Sequence, residues 1–179
     1  MLTRVDPDLV VNHCSDKHPW FTEACKSKDS PKRKWFHWAP PRFVDGKRCE
    51  PSNWRAAFGG SAWQWDEQTQ EYYLHLFTPE QPDLNWSNPE LRQAIYDDAV
   101  RFWLDRGLDG FRIDTVALYA KDMSYPDVPV VDDDVYQPVF GLFPHYPEIH
   151  DYLKEMHEKT WSQYKCAGAL LGRVRSFLH

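Results

Sequence analysis

Arg112 and Asp114 are the residues of this sequence whose types and spacing best suit chemistry. They stand two apart at the end of Gly110-Phe111-Arg112-Ile113-Asp114, a stretch that reads as a β-strand, so both side chains emerge on one face. A guanidinium beside a carboxylate keeps the acid ionised and fixes its direction, which a carboxylate nucleophile requires. An isolated Arg-x-Asp is more often a plain ion pair steadying a loop. His13 closes a second short apolar run, Asp8-Leu9-Val10-Val11-Asn12-His13, and would point into the same mouth if both strands belonged to one barrel. A histidine after a strand is by itself more often a hydrogen-bonded structural residue than a ligand.

The elements that must position these groups follow from local patterns. Asp8–His13 reads as a buried strand opening at its C-terminal end. From Ser15 to about Asn85 the chain is rich in Trp, Pro, Lys and Gly with little sustained period. Tyr72–Phe77 is its clearest strand, and Gly59-Gly60 and Pro79 supply turn chemistry, so the stretch reads as a loop-rich insertion. Asn88-Pro89-Glu90-Leu91 then opens a helix: Asn88 caps it, Pro89 suits its first position, and Glu90 complements the positive end of the dipole. Leu91, Ile95, Ala99 and Phe102 form one apolar stripe, and Gly107 ends the helix in a left-handed conformation. A second helix is predicted from Pro147 to about Gln163, with Ile149, Leu153, Met156 and Thr160 on one face. The order strand, insertion, helix, strand, loop, helix predicts an α/β protein with a parallel sheet.

Composition narrows the classes of partner. The 179 residues are 42% apolar and 27% charged, with net charge −6, so there is no broad basic face for nucleic acid. No run of eighteen apolar residues spans a bilayer, and Met1–Asp8 has no apolar secretory core, which with free thiols predicts a cytoplasmic chain. Cys14, Cys25, Cys49 and Cys166 show no paired spacing for zinc or a disulfide scaffold. Aromatic residues make up 16%, which invites carbohydrate stacking as well as ordinary core packing.

Three stretches carry a family resemblance: Asp8–His13, Gln81-Pro82-Asp83-Leu84-Asn85-Trp86 and Gly110–Asp114, in that order. Together they resemble signature stretches of the α-amylase family of glycoside hydrolases. The Gln-Pro-Asp-Leu-Asn form is similar to the α-glucosidase and oligo-1,6-glucosidase branch, as are Pro51-Ser52-Asn53-Trp54 and Phe58-Gly59-Gly60-Ser61-Ala62-Trp63. The match covers roughly Asp8 to Gln163. It implies a partial (β/α)8 TIM barrel, about strands 3 and 4, with an inserted B domain. The corresponding segments are 1–14 (strand 3), 15–86 (B domain), 87–164 (helix 3, strand 4, helix 4) and an atypical tail, 165–179.

The resemblance also implies roles. Asp114 matches the nucleophile that forms a covalent glycosyl–enzyme intermediate, and Arg112 the arginine that holds it. His13 matches a histidine bonded to the glucose in the cleaved subsite, and Phe58, Phe77 and Gln81 match residues lining the pocket around that sugar. Core packing for the two phenylalanines and a turn hydrogen bond for Gln81 are the plainer alternatives. Thr115 resembles maltase-like members and favours α-1,4 bonds, where members preferring α-1,6 links tend to carry valine. Cys14 stands where the family usually has threonine. No cofactor or metal is expected; the partner implied is a small oligosaccharide, with oligomeric state left open.

Retaining hydrolysis needs a second carboxyl group to protonate the leaving oxygen. The family places that glutamate at the end of the next strand, but no glutamate follows Glu158, and the first two strands and a later His-Asp pair have no counterpart. Two recognisable barrel strands cannot close a sheet. The sequence therefore reads as a truncated gene product, or one with a misplaced start and a shifted frame, that folds poorly and hydrolyses nothing alone. The functional expectation is an exo-acting retaining α-glucosidase. The rivals are a transglycosylase or isomerase on the same scaffold and a non-catalytic amylase-like domain; the intact Arg112 and Asp114 disfavour the latter.

Overall fold

A computed structural model describes residues 7–164 and 170–171, which divide into two compact units. The first holds the described residues up to Asn12, Trp86–Ala120, and those from Pro144 onward; the second holds His13–Asn85 and Lys121–Phe143.

In the first unit, three short parallel strands form one sheet with Arg112–Ile113 in the centre. Asp8–Leu9 pairs on one side, Asp8 opposite Arg112 and Leu9 opposite Ile113; Leu170–Leu171 pairs on the other with Leu170 opposite Arg112. Leu9, Phe111 and Ile113 are buried. The third strand falls inside the stretch that the sequence reading sets aside as an atypical tail. Its apolar Ala-Leu-Leu run without alternation suits a parallel strand, whose two faces are both covered. The rest of 165–179, Cys166 included, lies outside the described residues.

The helix after Asn88 starts as the sequence predicts. The Asn88 side chain accepts hydrogen bonds from the backbone N–H groups of Glu90 (2.9 Å) and Leu91 (3.3 Å), with Pro89 at the first turn. Its apolar stripe does not continue as predicted. After Pro89–Ile95 the backbone widens into a π-helical segment, Tyr96–Arg101, before a last α-turn at Phe102–Leu104. The wider turns rotate the buried face, so Leu91 and Ile95 are followed by Tyr96, Val100 and Leu104, while Ala99 is only half-buried and Phe102 is exposed. Gly107, at φ +88°, ends the segment in a conformation that costs glycine no steric clash. The second helix, Glu148–Lys159, buries Ile149 and Met156, half-buries Leu153, and ends on buried Thr160. Arg92 Nε and Glu155 Oε2, 2.6 Å apart, join the two helices. Among the described residues no helix is long and apolar enough to cross a membrane.

The second unit is built on an antiparallel sheet in the order Trp38–Ala39, Glu71–Leu74, Trp63–Asp66. The Arg42–Val44/Lys47–Cys49 hairpin turns through Asp45 and Gly46, both at positive φ as a type I′ turn demands. A parallel pair, Trp54–Arg55 with Gln137–Pro138, ties residues 121–143 to the earlier segment. Asn53 reinforces this tie: its amide donates to Val128 O and its carbonyl accepts from Val128 N, each at 2.8 Å. The aromatic wealth of the sequence goes mostly into cores: Trp35, Trp54, Trp63 and Trp86 are all buried.

This unit also buries polar groups. His37 Nδ1 lies 2.9 Å from the Tyr125 hydroxyl, and burial, with Lys121 second, holds the His37 pKa well below its ordinary 6.5. Burial likewise lowers the His75 pKa, against a smaller opposing pull from Asp83. The unfolded chain takes up a proton on each ring as pH falls through about 6.5, whereas the folded chain resists it. Stability is therefore lost as pH falls below that value and regained as it rises, by at most about 1.4 kcal/mol per pH unit for each histidine. The melting temperature should drop measurably between pH 7.0 and 5.5, above the range of ordinary carboxylates; a flat or rising profile would contradict this.

Candidate active site

In the first unit the strand Arg112–Ile113 delivers Arg112 and, just past its end, Asp114. Arg112 Nη2 stands 3.1 Å from Asp114 Oδ1, and Nη1 stands 2.7 Å from Asp8 Oδ2. The guanidinium therefore bridges two carboxylates rather than serving one, and Asp8, first, then Asp114 raise its pKa above the ordinary arginine value. Asp8 reaches this position because it sits opposite Arg112 in the parallel register.

The Asp114 backbone is held at both ends. Its N–H donates to Leu9 O (3.1 Å), and its carbonyl accepts from the Tyr119 hydroxyl (3.3 Å). Tyr119 in turn stacks on Trp86 with ring centroids 4.1 Å apart and planes 8° apart, while the Trp86 indole N–H donates to Val11 O at 2.8 Å. Trp86 thus braces the adjoining strand and the tyrosine that grips Asp114. Immediately after Asp114 the chain reverses. Thr115 has φ +45°, unusual for a β-branched residue, and opens the 3-10 turn Val116–Leu118. Such a conformation stores roughly 1–3 kcal/mol of strain, of the kind that collects at functional sites. The Thr115 hydroxyl is buried and finds no hydrogen-bond partner among the described residues.

In the second unit the structure brings His13, Gln81, Phe77 and Phe58 together. Residues 13–16 run antiparallel to 80–83 through a bridge between His13 and Asp83, with Cys14 N–H donating to Pro82 O (3.2 Å) and Asp16 N–H to Glu80 O (2.8 Å). That pairing sets Gln81 Nε2 3.1 Å from His13 Nε2. The Thr78 hydroxyl donates to Gln81 Oε1 at 3.3 Å, which turns the amide NH2 toward the imidazole and makes it the donor there. Phe77 packs on His13 with centroids 4.9 Å apart, and Phe58, three-quarters exposed, lies 6.4 Å from Phe77. Cys14 is no candidate nucleophile: burial first, then Asp83 and Asp16, pushes its thiol up to about 12.

Sequence reasoning overlooked several contributors. Asp8, Tyr119 and Trp86 act on Asp114 through register and stacking between distant segments. Thr78 orients Gln81, and Phe140, 6.2 Å from Phe77, extends the aromatic group. Of these, Asp8 and Trp86 lie within the family motifs. Lys121 is a further omission: its ammonium lies 3.1 Å from Asp83 Oδ2 with both side chains fully buried.

Comparison with known proteins places these features in a family. A family model described as alpha amylase, catalytic domain, matches residues 4–176, and the chain belongs to that family, which has a TIM-barrel-type fold. It is 53% identical over 154 residues to oligo-1,6-glucosidase IMA2 of Saccharomyces cerevisiae, covering 84% of this chain and 26% of that protein. It is 52% identical over 151 residues to an alpha-glucosidase of Candida albicans, covering 83% and 26%. Among solved structures, the isomaltulose synthase SmuA of Protaminobacter rubrum is similar at a TM-score of 0.79 and 40% identity, over 92% of this chain and 28% of that one. The chain spans about a quarter of the length of these curated relatives.

Proposed function

We propose that this chain carries the nucleophile side of a retaining, exo-acting α-glucosidase that removes glucose from maltose- or isomaltose-type oligosaccharides. The Asp114 carboxylate attacks the anomeric carbon as the glycosidic C–O bond breaks, giving a glucosyl ester. The leaving oxygen takes a proton from a separate acid, and water then cleaves the ester with retention. Arg112, 3.1 Å from Asp114, aims it; His13 and Gln81 bind sugar hydroxyls, and Phe58 and Phe77 line the same subsite. In this reading Asp8–Leu9 and Arg112–Ile113 are the third and fourth strands of the barrel, and residues 15–86 are its inserted B domain. Thr115 favours α-1,4 links.

The observation that most supports the reading is the Asp8–Arg112–Asp114 bridge on the central parallel strand, in a chain of this family. Groups at the C-terminal end of such strands are where β/α barrels do chemistry. The likeness to an isomaltulose synthase supports a second reading within the class, in which another sugar hydroxyl replaces water as acceptor.

Two measurements test this. Titration with 1-deoxynojirimycin, a glucose mimic, should give a saturable change in tryptophan fluorescence. Release of glucose from maltose should stay at background, because its leaving sugar oxygen must be protonated and no glutamate follows Glu158 to do so. A flat titration would sink the binding half of the proposal, and enzyme-like release would sink the division of labour.

A further inference from the structure

We infer that Phe140 is a specificity-determining residue: with Phe58 and Phe77 it forms an aromatic wall for the apolar face of whatever is linked to the glucosyl unit. The inference rests on the proposed role of His13 and Gln81 as the polar contacts of that unit. Phe77 is the shared ring. His13 packs against it at 4.9 Å, Phe58 at 6.4 Å and Phe140 at 6.2 Å, the last pair at 64°.

Two features of the fold put Phe58 and Phe140 there together. Trp54–Arg55 and Gln137–Pro138 are parallel, so the chain leaves both strands in one direction, reaching Phe58 after one and Phe140 after the other. Phe140 then sits in a tight turn closed by Leu142 N–H donating to Val139 O at 3.0 Å. It rests edge-on against fully buried Phe143, 6.2 Å away at 86°, and Phe143 packs on buried Trp54 at 5.8 Å. Phe140 is thus fixed by the core while remaining half-exposed.

A glucosyl ring needs a polar partner for each buried hydroxyl, which phenyl edges do not provide. Phenyl rings instead favour an aryl group or the C–H face of a sugar. Phe58 and Phe140 extend the cluster beyond the histidine and glutamine, so they suit the group attached to glucose.

The test is binding of methyl α-glucoside and of nitrophenyl α-glucoside to the native chain and to Phe140→Ala and Phe140→Tyr. The native chain should prefer the nitrophenyl ligand. Phe140→Ala should lower that preference about fivefold to tenfold with methyl α-glucoside affinity unchanged, and Phe140→Tyr, which keeps the ring, should retain it. Unchanged methyl α-glucoside affinity also shows that Phe140→Ala remains folded. Methyl α-glucoside binding with an undiminished nitrophenyl preference in Phe140→Ala would overturn this inference alone. Equal loss of both ligands in Phe140→Ala would also overturn it. Absence of methyl α-glucoside binding to the native chain would overturn the subsite assignment and this inference with it.

Discussion

Treated with 5-fluoro-α-D-glucosyl fluoride, the native chain should gain the mass of one fluoroglucosyl group on the peptide containing Asp114, and Asp114→Asn should gain none. Fluoride departs without protonation, so this reagent isolates the nucleophilic half of the reaction from the acid half. An amide cannot replace the carboxylate as nucleophile, and it also loses the charge that Arg112 faces at 3.1 Å. The expected loss is more than about a thousandfold in labelling rate, the scale seen when the attacking group itself is removed. Intact-mass and peptide mass spectrometry read the outcome directly. A label on another residue, or equal labelling of Asp114→Asn, would remove Asp114 from the role proposed for it.

The second large effect concerns stability. Lys121→Met or Asp83→Leu alone should destabilise the chain by roughly 3–5 kcal/mol, because each takes the opposite charge away from a fully buried ionic partner. Burial lowers the Lys121 pKa even though Asp83 pulls it upward, so desolvation already outweighs the attraction at that position. Asp83 has further duties: its Oδ1 accepts the Leu76 N–H at 3.0 Å, and its own N–H donates to Leu74 O at 2.9 Å. Losing Asp83 should therefore cost more than losing Lys121. Replacing both together should cost less than the two single changes summed, since neither charge of the pair remains. Urea unfolding of the two single variants and the double variant checks this. Additive losses would mean that the pair is not energetically coupled. A domain's total stability is only about 5–15 kcal/mol, so either single change takes a large share of it.

What was legible in the sequence was local. The two-residue spacing of Arg112 and Asp114 puts both on one side of a strand wherever that strand lies. Asn88-Pro89 starts a helix by chemistry contained within four residues. The family motifs were legible for the same reason, being short runs whose residues act close together. The π-helical stretch was not, because its widened turns follow from what must be buried around Tyr96 and Val100. Leu170–Leu171 was passed over because a short apolar run becomes a strand only when a partner offers it hydrogen bonds.

The sequence by itself determined the family and the identity of the residues offered for chemistry, since side-chain type and short spacing do not depend on the fold. Tertiary structure alone decided which groups meet. Asp8 shares Arg112 because parallel register sets it opposite, Gln81 faces His13 because two distant segments pair antiparallel, and Phe140 joins Phe58 around Phe77 because two parallel strands release the chain in the same direction. Contacts of this kind depend on strand pairing between residues far apart along the chain, which local periodicity does not encode.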